Sequence, residues 1–110
     1  MSALHEQQCK PAGELLKLEP DAVNALLAKL DGWQLNEAGQ LERPFVFHNY
    51  YETMAFVNAV AWIAHSQDHH PDLQVGYKRC TVSYITHAVG GLSDNDFICA
   101  ARVEHLLATE

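Results

Sequence analysis

The sequence predicts an α+β domain, a four-stranded, mostly antiparallel sheet with helices packed on one face, in the order α-β-β-α-β-β-α. Three observations predict it. At 110 residues the chain has room for about one hydrophobic core. Three stretches place apolar residues at helical spacing, and the intervals between them hold short runs that alternate apolar and polar side chains. The alternating runs come in pairs with short connections, as hairpins require, and are too polar on one face to be strands buried on both sides.

Residues 1–17 are mixed and polar, and nothing in them forces structure beyond a turn around Pro11-Ala12-Gly13, so they are read as an N-terminal arm preceding a domain over 18–110. From Pro20, the residues Val23, Leu26, Leu27 and Leu30 follow i, i+3, i+4, i+7 spacing, with proline in the first turn and Gly32 past the end. Trp33 and Leu35 alternate with polar neighbours, Glu37-Ala38-Gly39-Gln40 is a turn, and Phe45 and Phe47 alternate after Pro44. That reads as a hairpin with Pro44 on an edge, where its missing N–H removes no ladder bond. Asn49 with Glu52 forms an N-cap pattern ahead of the stripe Phe56, Val57, Val60, Ala61, Ala64, a second helix ending near Gln67. Leu73, Val75 and Tyr77 then alternate, Lys78-Arg79 is the connection, and Cys80, Val82 and Tyr84 alternate against Thr81, Ser83 and Ile85. Ser93 with Asp96 is another capping pattern, and Phe97, Ala100, Val103 and Leu107 line a last helix. The polar sheet face carrying Thr81 and Ser83 is either solvated or used for pairing with a second copy, so a homodimer or homotetramer is expected.

Composition narrows the classes. No apolar run approaches the roughly 18 residues of a membrane-spanning helix, and Met1–Lys10 lacks the apolar core of a secretion signal, so no membrane association and a cytoplasmic location are expected. Three cysteines without a CxxC pairing sketch neither a disulfide framework nor a thiolate-rich metal site. Reduced thiols are expected, with Cys80 and Cys99 in the core. A net charge of −7 opposes direct contact with a nucleic-acid backbone, and Lys78-Arg79 is the one adjacent basic pair.

Chemistry concentrates in His65-Ser66-Gln67-Asp68-His69-His70-Pro71, joined by Thr86-His87, which puts four of the seven histidines within 23 positions. An imidazole ordinarily titrates near pH 6.5, about where a group must sit to give and take protons at neutral pH. Pro71 cannot continue the second helix and holds His70 extended, just outside it. The hairpin between the two segments can return His87 toward His69 and His70. Two other readings compete. His65 and His69 lie four apart and would share a helix face, with Asp68 and His70 as further ligands of a metal, although a third well-placed ligand is not assignable. Alternatively, these are polar residues closing a helix whose dipole favours histidine at that end.

The pattern His65-x3-His69-His70-Pro71-x5-Tyr77-x9-His87-x8-Asp96, with Leu30-Asp31-Gly32-Trp33 and Gly91-Leu92-Ser93-x-x-Asp96, resembles the pterin-4a-carbinolamine dehydratases, over nearly the whole chain from about Leu15. The resemblance implies a hydro-lyase that converts 4a-hydroxytetrahydropterin to quinonoid dihydropterin and water, recycling the pterin spent by aromatic amino acid hydroxylases. It implies no metal and no cofactor beyond the pterin, which is the substrate. It implies His69 and His87 as the acid/base pair, with His70 sharing or supporting the role and the assignment of acid and base left open. Asp68, His69 and His70 would form one wall of the site and Ile85, Thr86, His87 and Ala88 the other. His65 stands where the family often has an acidic residue, Leu73 where an aromatic is frequent, and Ile85 where a small hydroxyl residue is common. Trp33 could stack on a flat ring, although a Trp opening a strand is as often core. Asp96 is read as the cap of the last helix rather than as a reacting group. Since some members of the family also stabilise transcription-factor dimers, the alternative function is a protein-binding module.

Overall fold

The computed structural model describes residues 3–107. Three α-helices and four strands follow the predicted order: α1 Pro20–Leu27, β1 Gln34–Leu35, β2 Leu41–Val46, α2 Tyr50–Gln67, β3 Asp72–Val75, β4 Arg79–Tyr84 and α3 Asp94–His105. The strands make one antiparallel sheet in the order β1-β2-β4-β3. The register puts Leu41, Phe45, Cys80, Val82 and Tyr84 on one face, all buried, where they meet Val60, Phe97, Ala100 and Val103 of α2 and α3. Glu42, Pro44, Thr81 and Ser83 take the other face, which no helix covers among the described residues. Burying Leu41, Phe45, Val82 and Tyr84 stabilises the fold by roughly 1.5–3 kcal/mol each, so a sheet this small holds together through its single apolar side.

Local chemistry explains the boundaries. Asn49 caps α2, its Oδ1 accepting from the Glu52 N–H at 2.8 Å. Pro44 lies in β2 opposite Thr81 of β4, but β1 reaches only Leu41 and Glu42, so the outer side of β2 is unpaired from Arg43 onward and the proline sits on a local edge as its chemistry demands. Helix α1 stops at Leu27, one turn short of the predicted stripe. Lys29 and Leu30 continue in tighter turns, their N–H groups bonded to Leu26 and Leu27 at 3.0 and 3.1 Å, before Gly32 turns the chain at φ 81°. The strand predicted to include Tyr77 ends at Val75, and Gly76 closes the hairpin through its N–H to the Arg79 carbonyl at 2.7 Å. Arg79 therefore opens β4 instead of belonging to the connection.

The arm is folded onto the domain. Two short 3-10 turns, Leu4–Glu6 and Ala12–Glu14, bracket a segment fastened by side chains of the domain. Gln67 Oε1 accepts from the Cys9 N–H at 2.8 Å, and the Asn95 amide both accepts from the Lys10 N–H and donates to the Lys10 carbonyl, each at 2.9 Å. Arg102 donates to the Gln7 carbonyl at 2.6 Å.

Candidate functional site

The C-terminus of α2 and the turn after β4 open onto one cleft of about 490 Å³. The α2 end is a Schellman motif. Asp68 adopts the left-handed conformation at φ 51°, ψ 44°, its N–H bonding the His65 carbonyl at 3.4 Å, while the His69 N–H reaches back to Ala64 at 3.1 Å. The chain thus leaves the helix abruptly, and Pro71 keeps it extended into β3. On the other side Thr86 pairs with Gly91 across a 3-10 turn, His87–Val89, closed by Gly90 at φ 66°. That turn holds His87 and Ala88 at the rim.

Asp68, His69, His70, Ile85, Thr86, His87 and Ala88 all line this cleft, so the two walls expected from the sequence face one space. Two candidates lie elsewhere. Trp33 is 4% exposed, packed edge-on against Phe45 at 6.0 Å and beside Tyr84 at 6.3 Å, so the expectation that its ring could stack on a ligand is corrected: alternation put it on the core face and its apolar bulk holds it there. His65 is exposed on the α2 surface with its ring 5.8 Å from Trp62, and it does not line the cleft because α2 persists through it and turns it outward. Among the described residues, no three histidine, cysteine or acidic side chains are grouped to hold a metal.

His69 is the best-anchored imidazole. Its Nε2–H donates to Asp96 Oδ1 at 2.7 Å, with 11% of the His69 side chain and none of the Asp96 side chain exposed. A carboxylate only accepts, so the bond fixes the tautomer and leaves Nδ1 as the titrating nitrogen. Burial works against the charged ring, but the hydrogen bond and charge of Asp96, with further help from Cys9 and Asp68, outweigh it and raise the His69 pKa above its ordinary value. The ring lies parallel to Tyr84, 5.8 Å between centroids and 7° between planes. Tyr84 is fully buried, and burial drives its hydroxyl pKa far up.

Asp96 does more than the capping role the sequence suggested. Its Oδ2 accepts from the Ser93 N–H at 2.9 Å, the reciprocal half of a capping box, and from the Thr86 hydroxyl at 2.7 Å, while the Ser93 hydroxyl lies 2.7 Å from Thr86 Oγ1. One buried carboxylate thus ties α3, the Thr86 turn and His69 together. Spacing alone did not reveal this, since a cap pattern accounts for an aspartate there without further cause. The other missed residues are Gln67 and Asn95, which fasten the arm, and the arm itself, where Cys9, Lys10, Pro11, Ala12 and Leu15 form a further wall. No periodicity flagged them, because the arm is held by polar bonds to Gln67 and Asn95 and has no apolar stripe of its own.

The arrangement can move protons. It offers one imidazole whose charged form a buried carboxylate favours and two, His70 and His87, exposed at the same opening. Comparison with known proteins agrees with the architecture. A sequence profile described as pterin 4 alpha carbinolamine dehydratase matches residues 16–106. A Nitrosomonas eutropha protein provisionally named a pterin-4-alpha-carbinolamine dehydratase is 55% identical over 106 residues, covering 94% of this chain and 93% of that one. One from Stenotrophomonas maltophilia with the same provisional name is 55% identical over 105 residues, covering 94% and 90%. Among solved structures, a transcriptional coactivator/pterin dehydratase from Brucella melitensis superposes with a TM-score of 0.79 at 28% identity, covering 82% of this chain and 97% of that one.

Proposed function

This chain belongs to the pterin 4 alpha carbinolamine dehydratase family, and we propose that it dehydrates 4a-hydroxytetrahydropterin to quinonoid dihydropterin with its histidines as acid and base. The observation that carries the reading is that His69, His70 and His87, drawn from two segments separated by a hairpin, line one cleft. The reaction breaks the C4a–O bond: a proton goes to the departing hydroxyl, which leaves as water, and another is lost from a ring nitrogen. His69, whose raised pKa keeps it protonated to higher pH, is the proton donor to the oxygen. His87 or His70, exposed at the rim, takes the proton from the ring. Thr86, Ile85 and Ala88 form the wall against which the flat heterocycle lies, and Asp68 meets its NH-bearing edge.

The physiological reading is that this recycles the pterin used by aromatic amino acid hydroxylases, in the cytoplasm. No helix is long and apolar enough to cross a membrane among the described residues. Self-association is proposed on the exposure of Tyr51 and Trp62 on α2, at 82% and 67%, large apolar areas for an unpartnered surface.

The test is a dehydratase assay on the synthetic carbinolamine, with the mass in solution measured alongside. Wild type accelerates water loss, a chelator leaves the rate unchanged, and His69→Ala and His87→Ala each lose at least ~10²-fold in kcat. Retention of full rate by both variants would refute the assignment, inactivation by the chelator would favour a metal, and a monomeric mass would remove the self-association.

A further inference from the structure

The proton chemistry leaves two thiols unused, and they touch. Cys9, on the arm at the edge of the cleft, places its Sγ 3.5 Å from Sγ of Cys99, which is fully buried in α3. Bonds on either side of Cys9 hold the pair in register, from its own N–H to Gln67 and from Lys10 to Asn95. We propose that Cys9 and Cys99 are a reversible dithiol–disulfide site whose oxidation pins the N-terminal arm as a fixed wall of the cleft.

The two sulfurs are chemically unequal in the sense such a site needs. The hydrogen bond from Cys99 lowers the Cys9 pKa against the opposing effect of burial, with help from the charges of His69 and Arg102. The same contact and burial raise Cys99, which keeps its proton. Cys9 is also the one that meets solvent, so an oxidant entering from the cleft reaches the more reactive sulfur first. A hydroperoxide is the oxidant class. The Cys9 thiolate attacks one peroxide oxygen, the O–O bond breaks, and the other oxygen leaves as alcohol or water after taking a proton from solvent, giving a Cys9 sulfenic acid. Cys99 sulfur then attacks Cys9 sulfur, the S–O bond breaks, and the hydroxide departs as water with the Cys99 proton. Two thiols lose two electrons and two protons, and the peroxide is reduced. A disulfide bond is about 2.05 Å long, so the sulfurs need only close by about 1.5 Å. The Cys9 segment lies between two short turns with no helix to distort, and Cys80, fully buried in β4, takes no part.

The full chain is treated with hydrogen peroxide, mapped by mass spectrometry without reduction, and followed by amide hydrogen exchange. The expected result is one intramolecular link, Cys9 to Cys99, with Cys80 still alkylatable. Exchange at arm residues 7–12 slows at least ~10-fold, and dithiothreitol reverses both. Cys99→Ala forms no link and keeps the exchange of the reduced chain. The wild-type map decides even if that variant folds poorly. Cys9 halting at sulfinic acid with Cys99 still a thiol, dimers linked through Cys80, or a link that leaves arm exchange unchanged would each overturn the proposal. None of these measurements uses a pterin, so the outcome is independent of the dehydratase reading.

Discussion

Replacing Asp96 by asparagine separates a cap from a partner in catalysis, because the change keeps size and removes charge. The carboxylate accepts from His69, Thr86 and the Ser93 N–H in a site closed to solvent. An amide oxygen in the place of Oδ2 keeps the bonds from Ser93 and Thr86, and the NH₂ then faces His69 Nε2, which accepts it only as the neutral Nδ1–H tautomer. Loss of the charge-assisted bond to His69 costs about 1.5–3 kcal/mol and weakening of the cap about 0.5–1 kcal/mol more. The sum, about 2–4 kcal/mol, lowers Tm by roughly 10–20 °C in a domain of this size. The pH dependence has a definite sign. Since the folded pKa of His69 is raised, the pair contributes its full stability below the unfolded value of about 6.5 and loses it as pH rises through the folded pKa. The stability gap between wild type and variant is therefore wider below about pH 6.5 and narrows as pH rises through the folded pKa of His69. In the variant, burial prevails and the His69 pKa drops, so the alkaline limb of kcat/KM moves to lower pH and the rate at pH 7.5 falls ~10²-fold or more. Thermal melts and pH–rate profiles of the two proteins check this. A variant that melts lower but keeps its rate and its alkaline limb would show Asp96 to be a cap and nothing else.

Substitutions at two further positions probe the neighbours. Asp68 holds φ 51°, so Asp68→Gly leaves chemical-denaturation stability within about 0.5 kcal/mol while Asp68→Ala loses about 1 kcal/mol; equal losses would show that the side chain, and not the backbone angle, matters. The Tyr84 hydroxyl is buried with no hydrogen-bond partner among the described residues, so Tyr84→Phe keeps the ring against His69 and leaves stability unchanged or raised by about 1 kcal/mol. A loss above about 1 kcal/mol in the same denaturation measurement would contradict that.

Elements with strong periodicity are legible in the sequence alone. The stripe from Phe56 to Ala64 marks α2, the caps at Asn49 and Ser93 mark where helices begin, and the proline at 71 marks where one cannot continue. The return of His87 toward His69 and His70 is legible too, because a hairpin brings the chain back beside its start, while the remaining residues of the two walls come from the family resemblance. Less visible was anything decided by a single long-range polar contact. Trp33 in the core and Trp33 against a ligand share one alternating pattern, and only packing on Phe45 distinguishes them. Helix α1 ends early because Gly32 and the tight turns before it must bring Trp33 into that packing, which local spacing at Leu30 does not register. His65 looks like part of the cluster by sequence distance, yet the left-handed turn at Asp68 takes His69 off the helix and leaves His65 behind on the exposed surface of α2.

The carboxylate that caps α3 is the same group that orients an imidazole of the cleft, so on the proposed mechanism heat tolerance and turnover draw on one side chain. A library of variants screened only for survival at elevated temperature, with no pterin in the medium, would be expected to retain Asp96 and to let the exposed His87 drift.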